Sequence, residues 1–343
     1  MVRDSSERFR PSCSHRRLLT GLLIATGLGA TAGCARSFQS TLTPAGPAAE
    51  RVAGLWWLLF WIAVAVSAVV VAMVGWAVLR RRGPRTRVRP AGGRSFVLVL
   101  GVAVPAVVLT FVYAVGLSDM RALAEPPRPP EFTVEVVGHM WWWEVRYPDA
   151  GFTTANEIHI PVGEPVALRL TTDDVIHSFW VPELMPKMDL LPERVNETWF
   201  LADEPGTYRG QCAEYCGLQH SHMAFQVVAE PRERFDAWLA KQSRPAQEPA
   251  TELAARGRTV LETTACATCH TVAGTGADGD VGPDLTHVGS RERLAAGAIP
   301  NDVGHLAGWV SNSQTVKPGN LMPPQPLSPE DLRAVVAYLQ GLE

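Results

Sequence analysis

The chain has 343 residues, enough for two or three domains, and its net charge of −3 and 47% hydrophobic content are ordinary for a folded protein. These averages exclude a protein that is strongly basic or strongly acidic throughout, but they hide a segregation along the chain. Residues 1–130 carry 16 arginines against 5 acidic residues, and residues 131–230 carry 5 basic residues against 16 acidic ones. Residues 251–343 carry 6 basic and 10 acidic residues. No nucleic-acid partner is expected.

The N-terminus has the pattern of a signal peptide, which we expect over residues 1–33. Five arginines precede a stretch of small apolar residues from Leu18 to about Ala32, which is too short for a spanning helix. The stretch ends in Thr-Ala-Gly-Cys, which resembles a bacterial lipoprotein cleavage site with Cys34 as the lipidated residue. Ordinary cleavage and an unmodified Cys34 are the alternatives.

Two long apolar runs follow, and they predict transmembrane helices over residues 52–79 and 95–118. Each run exceeds the roughly 20 residues that cross a bilayer, and neither has the polar face of a helix in a soluble protein. Seven arginines lie in the loop between them, residues 80–94, which the positive-inside rule places in the cytoplasm. The prediction is a bacterial plasma-membrane protein with two spans and everything after residue 118 outside the cytoplasm.

The next region, residues 131–230, follows a proline-rich stretch and consists of short β-branched runs broken by glycine and proline. Such a pattern is typical of an all-β sandwich or barrel. The predicted strands cover residues 132–137, 157–160, 165–170, 197–200 and 223–228. A segment with thiol, thioether and imidazole side chains, which are soft metal ligands, lies just before the last of these strands. We therefore expect it on a loop held by a rigid sheet.

That segment contains two thiols, an imidazole and a thioether: Cys212, Cys216, His220 and Met223. Thiolates and thioethers select copper, zinc or iron–sulfur clusters, and a weak axial methionine tunes the potential of a redox copper site. A structural zinc site has no use for the methionine. A Cys212–Cys216 disulfide is the alternative, but it would leave His220 and Met223 without a purpose.

A second metal signal lies in residues 251–343, after a segment over residues 231–250 that we expect to link the two domains. Cys266-Ala-Thr-Cys269-His270 is a c-type haem attachment motif, with His270 as the iron ligand. A redox disulfide or half of a zinc site are the alternatives. Met322, between Leu321 and two prolines, is the expected sixth ligand, because His/Met ligation suits an electron carrier.

His287 and His305 are the competing candidates for that sixth position. Residues 282–285, Gly-Pro-Asp-Leu, are expected to form a turn at the haem edge. Helices are predicted over residues 232–240, 253–263 and 331–342.

These motifs together resemble subunit II of the haem–copper cytochrome c oxidases, in the bacterial type with a fused C-terminal cytochrome c. The family's binuclear CuA centre uses a C-x-E-x-C-x₃-H-x₂-M stretch and one upstream histidine. The matching residues here are His177, Cys212, Glu214, Cys216, His220 and Met223. By resemblance, both thiolates bridge two coppers, each imidazole binds one copper, and Met223 and the Glu214 carbonyl are weak axial ligands. The implied fold is a transmembrane hairpin, an all-β cupredoxin-like Greek-key sandwich and an all-α class I cytochrome c domain.

The resemblance also implies an electron route and partners. Residues 138–144 match the family's aromatic stretch beside the copper, in which Trp141 is the electron-entry position. Electrons from cytochrome c or another donor would reach the haem, then CuA, then haem a and the haem–copper site of subunit I, where oxygen is reduced and protons are moved. Subunit III is a further expected partner, and a magnesium ion is expected near the Glu214 side chain at the subunit I contact. No general acid or base for oxygen chemistry is expected in this chain.

Three rival functions use parts of the same pattern. A nitric or nitrous oxide reductase subunit could carry the same copper centre, but the hairpin followed by a copper domain and a haem favours an oxidase. A membrane-anchored copper chaperone typically combines a thiol pair with one histidine and no thioether, unlike this set. A quinol-oxidase subunit lacks the copper site and is excluded if the thiols are ligands.

Overall fold

The computed structural model describes residues 39–80 and 90–343. The expected signal peptide, Cys34 and most of the arginine-rich loop lie outside the described residues.

Two long helical segments form the N-terminal part of the described chain. The first is α1 (Pro47–Arg80); the second comprises α2 (Pro90–Leu98), a π-helical turn (Val99–Ala103) and α3 (Val104–Ala124). Residues 47–79 and 93–124 each have a mean hydropathy of 2.6 over their most apolar window and are long enough to cross a membrane. Most of their large apolar side chains are exposed, as is expected of helices that face lipid.

The segment just before α1 and the last turn of α3 contact the β domain. The amide of Ala45 donates to the Glu183 carbonyl over 2.7 Å, and the Ala45 carbonyl accepts from the Asp203 amide over 2.8 Å. The Trp199 indole donates to the Leu123 carbonyl, near the end of α3, over 3.0 Å. The β domain is therefore attached to the helix ends by direct hydrogen bonds.

The β domain is a sandwich of two five-stranded sheets. Its strands are β1 (Thr133–His139), β2 (Trp142–Tyr147), β3 (Phe152–Ala155), β4 (Glu157–Pro161), β5 (Val166–Thr172), β6 (His177–Trp180), β7 (Met188–Leu190), β8 (Asn196–Phe200), β9 (Gly206–Cys212) and β10 (Ala224–Glu230). One sheet has the order β3-β2-β1-β5-β8, and the other β4-β10-β9-β6-β7. The pairs β1/β5 and β4/β10 are parallel, and each joins strands that are distant in sequence, so the sandwich is not a simple succession of hairpins.

Aromatic rings fill the space between the sheets near the predicted metal site. Trp143 is fully buried and packs edge-on against Phe179 and Phe225. A side chain at Gly210 would place its Cβ 2.1 Å from the Phe225 ring, so this position accepts only glycine without rearrangement. Helix α4 (Arg232–Gln242) closes the sandwich, with the Trp238 ring stacked on His159.

The C-terminal domain is helical. It contains α5 (Glu252–Thr263), α6 (Cys266–Cys269), a small hairpin of β11 (Arg293–Leu294) and β12 (Ile299–Pro300), α7 (Val303–Ser311) and α8 (Pro329–Gln340). Thr251 and Ser328 cap α5 and α8 by accepting backbone hydrogen bonds. The two helices cross closely at Gly257, where a Cβ would lie 2.0 Å from the Ala334 carbonyl oxygen. The three-part fold expected from the sequence is confirmed.

Candidate metal centre and haem cavity

The predicted copper ligands lie at one end of the β10-β9-β6 part of the second sheet. Strand β9 ends at Cys212, β10 begins after Met223, and β6 begins at His177. The amide of Cys212 donates to the Met223 carbonyl over 2.9 Å, which closes the base of the intervening loop. A rigid sheet therefore brings together residues that are 35 positions apart in the sequence.

The donor atoms of these residues form one cluster. The sulfur atoms of Cys212 and Cys216 are 3.8 Å apart, too far for a disulfide, whose S–S bond is about 2.05 Å. The His177 Nδ1 lies 3.8 Å from the Cys212 sulfur, and the His220 Nδ1 lies 3.5 Å from the Cys216 sulfur. The Met223 sulfur is 3.8 Å from that of Cys216.

The Glu214 carbonyl completes the cluster, with its oxygen 3.2 Å from the Cys212 sulfur. The Glu214 side chain points elsewhere, is half exposed, and has Lys187 as a neighbour at 3.9 Å. All six groups expected at the copper centre thus converge, while their role as ligands stays a prediction.

Burial and electrostatics fit this cluster to a soft metal. His177, Cys212, Cys216 and Met223 are buried. The hydrogen bond between the two thiols lowers the pKa of Cys212 and raises that of Cys216, so in the metal-free protein one thiol deprotonates much more readily than the other. Metal cations would balance the charge of the buried Cys212 and Cys216 thiolates. Thiolate, thioether and imidazole donors together fit copper.

Asp174 orients His177, a role that the sequence reasoning missed. Its Oδ1 lies 2.8 Å from the His177 Nε2, which leaves Nδ1 directed at the thiols. The same carboxylate accepts the amides of Met140 and Val175, each over 2.6 Å. Burial opposes ionisation, but these hydrogen bonds lower the pKa of Asp174 overall. In metalloproteins, a carboxylate that does not itself bind the metal often fixes the ring of a metal-binding histidine.

The three adjacent tryptophans differ sharply in their surroundings. Trp141 is 8% exposed, and its indole donates to the Cys216 carbonyl over 2.9 Å. Trp142 stacks on His139, and Trp143 belongs to the sandwich core. Of the three tryptophans, Trp141 is therefore the one whose hydrogen bond links it to the candidate copper loop, residues 212–223.

The haem attachment motif lines a cavity of about 210 Å³ in the C-terminal domain. Cys266, Cys269, His270 and Met322 all border it. The His270 Nδ1 donates to the Pro283 carbonyl over 2.7 Å, and burial lowers the pKa of His270, so a neutral imidazole presents its Nε2 as a donor. The apolar wall includes Leu306, Val310, Val335 and Leu339. Two thiols, a neutral imidazole and a thioether around an apolar cavity fit a covalently attached haem.

The loop that carries Met322 is fixed by hydrogen bonds. The Met322 carbonyl accepts from the Ser313 hydroxyl over 2.6 Å and from the Gln314 amide over 2.9 Å. The competing histidines lie elsewhere: His287 borders a separate groove, and His305 pairs with Asp302 at the start of α7. The geometry favours Met322 over both.

The same cavity is bordered by the β domain. Met140, Trp141, Trp142 and Asn156 contribute to its wall, together with residues of the C-terminal domain. Trp141 therefore contacts the candidate copper loop through its indole and borders the haem cavity as well.

The remaining histidines have other partners. His139 pairs with Glu144, His159 pairs with Glu230, and both distances are 3.0 Å. His222 is exposed and pairs with Gln219.

This fold and these donors define a class of protein: membrane-anchored electron-transfer proteins with a copper-type β-sandwich and a c-type cytochrome domain. Residues 150–230 match the family profile "Cytochrome C oxidase subunit II, periplasmic domain", and residues 254–343 match "Cytochrome c". The chain is similar to cytochrome c oxidase subunit 2 of Alkalihalophilus pseudofirmus, with 34% identity over 99% of this chain and 98% of that one. It is similar to the same subunit of Bacillus sp. (strain PS3), with 32% identity over 91% of this chain and 94% of the relative.

Among solved structures, the periplasmic domain of the Bradyrhizobium japonicum oxidase subunit II is 30% identical, covers 34% of this chain and 95% of its own length, and has a TM-score of 0.33. From the near full-length relatives, the chain belongs to the cytochrome c oxidase subunit II family, in the form with a fused cytochrome c domain. The resemblance inferred from the motifs is confirmed.

Family membership settles the coarse function. The chain is an electron-transferring subunit of a haem–copper terminal oxidase, and its partner in that complex is subunit I. Its matched domains imply CuA copper and haem. It is anchored by membrane helices and carries an extracytoplasmic domain.

Proposed function

We propose that this chain conducts electrons from a covalent haem on Cys266, Cys269, His270 and Met322 to a two-copper centre, and from there to subunit I. The observation that carries the proposal is the position of Trp141, which borders the haem cavity and donates its indole hydrogen bond to the Cys216 carbonyl. When bound, the haem and the coppers supply one-electron redox chemistry at potentials that their axial ligands tune.

The cluster geometry supports two coppers rather than one. His177 lies nearest to Cys212 and His220 nearest to Cys216, so each imidazole has its own thiolate neighbour. The Cys212 and Cys216 thiolates, with the Met223 thioether and the Glu214 carbonyl, would hold both metals without large movement on reduction. The sheet-fixed loop and Asp174 keep these donors in place, which lowers the reorganisation that electron transfer requires.

On the haem side, each residue has a defined task. Cys266 and Cys269 would form the thioether links, and the Pro283 carbonyl orients His270 so that its Nε2 is free and would bind the iron. The hydrogen-bonded Met322 loop would supply the sixth ligand. The apolar wall excludes water and so favours the reduced, less charged state of the haem.

Trp141 is the proposed electron-entry residue of the copper domain. In this fused protein the electron would come to it from the haem in the same chain. The upstream donor to that haem would be cytochrome c or another small redox protein.

The wider assembly is proposed by family resemblance. Subunit III and a magnesium ion near the half-exposed Glu214 carboxylate would lie at or near the subunit I contact. The acidic surface of residues 131–230 would attract a basic donor, with salt-sensitive encounter rates. The location would be the bacterial plasma membrane, with both redox domains on the periplasmic or outer side.

Metal analysis and absorption spectroscopy of the detergent-solubilised full chain test the proposal. We expect two coppers and one covalent haem per chain. Cys216→Ser should abolish the copper absorption and leave the haem absorption intact, because the haem ligands lie on other elements. His222→Ala, which removes an exposed imidazole outside the cluster, is the matched control and should keep both. Zinc, a single copper, or a haem that acid–acetone extracts would contradict the proposal.

A further inference from the structure

Lys317 lies in the C-terminal domain, yet its ammonium group reaches into the β domain. The side chain is 3% exposed, and Nζ donates to the Trp141 carbonyl over 2.7 Å and to the Ala295 carbonyl over 3.2 Å. The partner residue in the β domain is thus the tryptophan that borders both redox sites. This contact joins residues 176 positions apart.

The lysine is an unusual choice for a buried interface position. None of the ion pairs among the residues that the structure describes includes Lys317. Burial lowers the pKa of Lys317, because the side chain is withdrawn from water. Because an apolar residue of similar length would avoid the desolvation cost, packing alone does not explain a lysine here.

Other contacts of the same segment converge on the copper loop. The Gln219 amide donates to the carbonyl of Pro318, the next residue, over 2.7 Å. On the neighbouring loop, the Ala296 carbonyl accepts from the amide of Ala224, which directly follows Met223, over 3.0 Å. Ala295 and Ala296 both have positive φ values, 55° and 56°, a backbone conformation that non-glycine residues adopt only when the surroundings enforce it.

The segment also reaches the haem cavity. Lys317 borders that cavity, and the chain continues within five residues to Met322, the proposed iron ligand. One short segment therefore contacts Trp141 and the copper loop at its start and presents the thioether at its end. A shift at Lys317 would change the separation of the haem cavity from Trp141.

From this geometry we infer that Lys317 is a positioning residue for internal electron transfer, whose Nζ holds the haem domain against the Trp141 backbone so that the haem cavity stays beside the Trp141 ring. The inference rests on the proposed haem-to-copper route. It adds a residue that binds neither metal and acts only through the contact between the domains.

Flash reduction of the haem in the intact oxidase, with a ruthenium tris-bipyridine photoreductant, tests the inference. The haem and copper absorption bands then report how fast the electron moves between the two centres. In Lys317→Met we expect this rate to fall about tenfold, because a charged donor to a buried carbonyl is lost. Haem reduction by ascorbate and both absorption spectra should remain unchanged. Lys241→Met, which removes an exposed lysine on α4, is the control and should keep the wild-type rate.

A fall of less than about threefold in Lys317→Met, with both spectra intact, overturns the inference while leaving the proposed route standing. Loss of the copper or haem signal in the wild-type protein would instead count against the route itself. If Lys317→Met fails to fold, the salt dependence of the internal electron-transfer rate in the wild-type protein tests the inference instead. A buried contact is little screened, so the internal rate should change by less than about twofold between low and high salt, and a steep fall overturns the inference.

Discussion

Asp174→Asn isolates the contribution of a residue that touches the copper centre only through a ligand. The wild-type carboxylate accepts four donors: the His177 imidazole, the Val175 amide and, over 3.3 Å, the Thr172 hydroxyl on Oδ1, and the Met140 amide on Oδ2. Asparagine has the same shape but only one acceptor oxygen. In either orientation its NH₂ group faces a donor, so at least one of these hydrogen bonds is lost.

The size of the effect follows from which bond is lost. If the asparagine NH₂ group takes the place of Oδ1, His177 loses its orienting acceptor. If the NH₂ group takes the place of Oδ2, the backbone amide of Met140, next to Trp141, loses its acceptor. A buried donor left unsatisfied costs about 1–3 kcal/mol, and removal of a carboxylate behind a metal-binding histidine typically weakens metal binding about 10–100-fold. We therefore expect copper affinity to fall by about one to two orders of magnitude.

Competition with a copper chelator of known affinity, followed in the copper absorption band of the full chain, measures this loss. The haem absorption serves as an internal reference, because the haem ligands make no contact with Asp174 among the described hydrogen bonds. Asp173→Asn is the matched control, since the neighbouring carboxylate is exposed and its loss should leave copper affinity unchanged.

An Asp174→Asn protein with wild-type copper affinity would refute the reasoning, because it would mean that the sheet alone orients His177. Equal losses in Asp174→Asn and Asp173→Asn would also refute it, since the effect would then be one of net charge. Loss of the haem band together with the copper band would indicate misfolding rather than a change in the ligand.

Two further predictions concern stability. Gly257→Ala should destabilise the haem domain by about 1–3 kcal/mol, because its Cβ would meet the Ala334 carbonyl at 2.0 Å. We expect a lower unfolding midpoint and weaker haem retention. Gly308→Ala, whose Cβ would meet nothing within 4 Å, is the control and should be neutral or stabilising. Burial raises the pKa of Glu157 above 4.5, so folding is favoured below that pH and loses this contribution as pH rises. Glu157→Gln should therefore flatten the fall in thermal midpoint between pH 5 and 8, whereas Glu233→Gln, at an exposed site, should not; identical slopes in all three proteins would contradict this.

The sequence was informative wherever the chemistry was local in the chain. The copper loop (residues 212–223) and the haem attachment motif (residues 266–270) each lie within twelve residues, so the spacing of their predicted donors is visible in the sequence. The predicted strands at residues 132–137 and 165–170 correspond to β1 and β5, because alternation of buried and exposed side chains is visible in one dimension.

Elements with weak local signals were not predicted. Strand β6 is four residues long, and α7 lies in a stretch rich in glycine that lacks an extended apolar period. Their place is decided by pairing with β9 and by packing on α8, which are tertiary effects. The roles of Asp174 and Lys317 were missed for the same reason, since an Asp in a turn and a Lys before a proline are normally surface residues.

The contacts between the two redox domains explain how two acidic domains can stay together. Residues 131–230 and 251–343 are both negatively charged, so attraction between net charges cannot hold them. Instead, cations of the haem domain donate to neutral oxygen atoms of the β domain: Lys317 to the Trp141 carbonyl, and Arg291 to the Thr154 hydroxyl over 3.2 Å. Buried bonds of this type resist salt, and the connection through α4 keeps the domains at high effective concentration. With Trp141 covered in this arrangement, the proposed route has an external donor deliver its electron to the haem domain first.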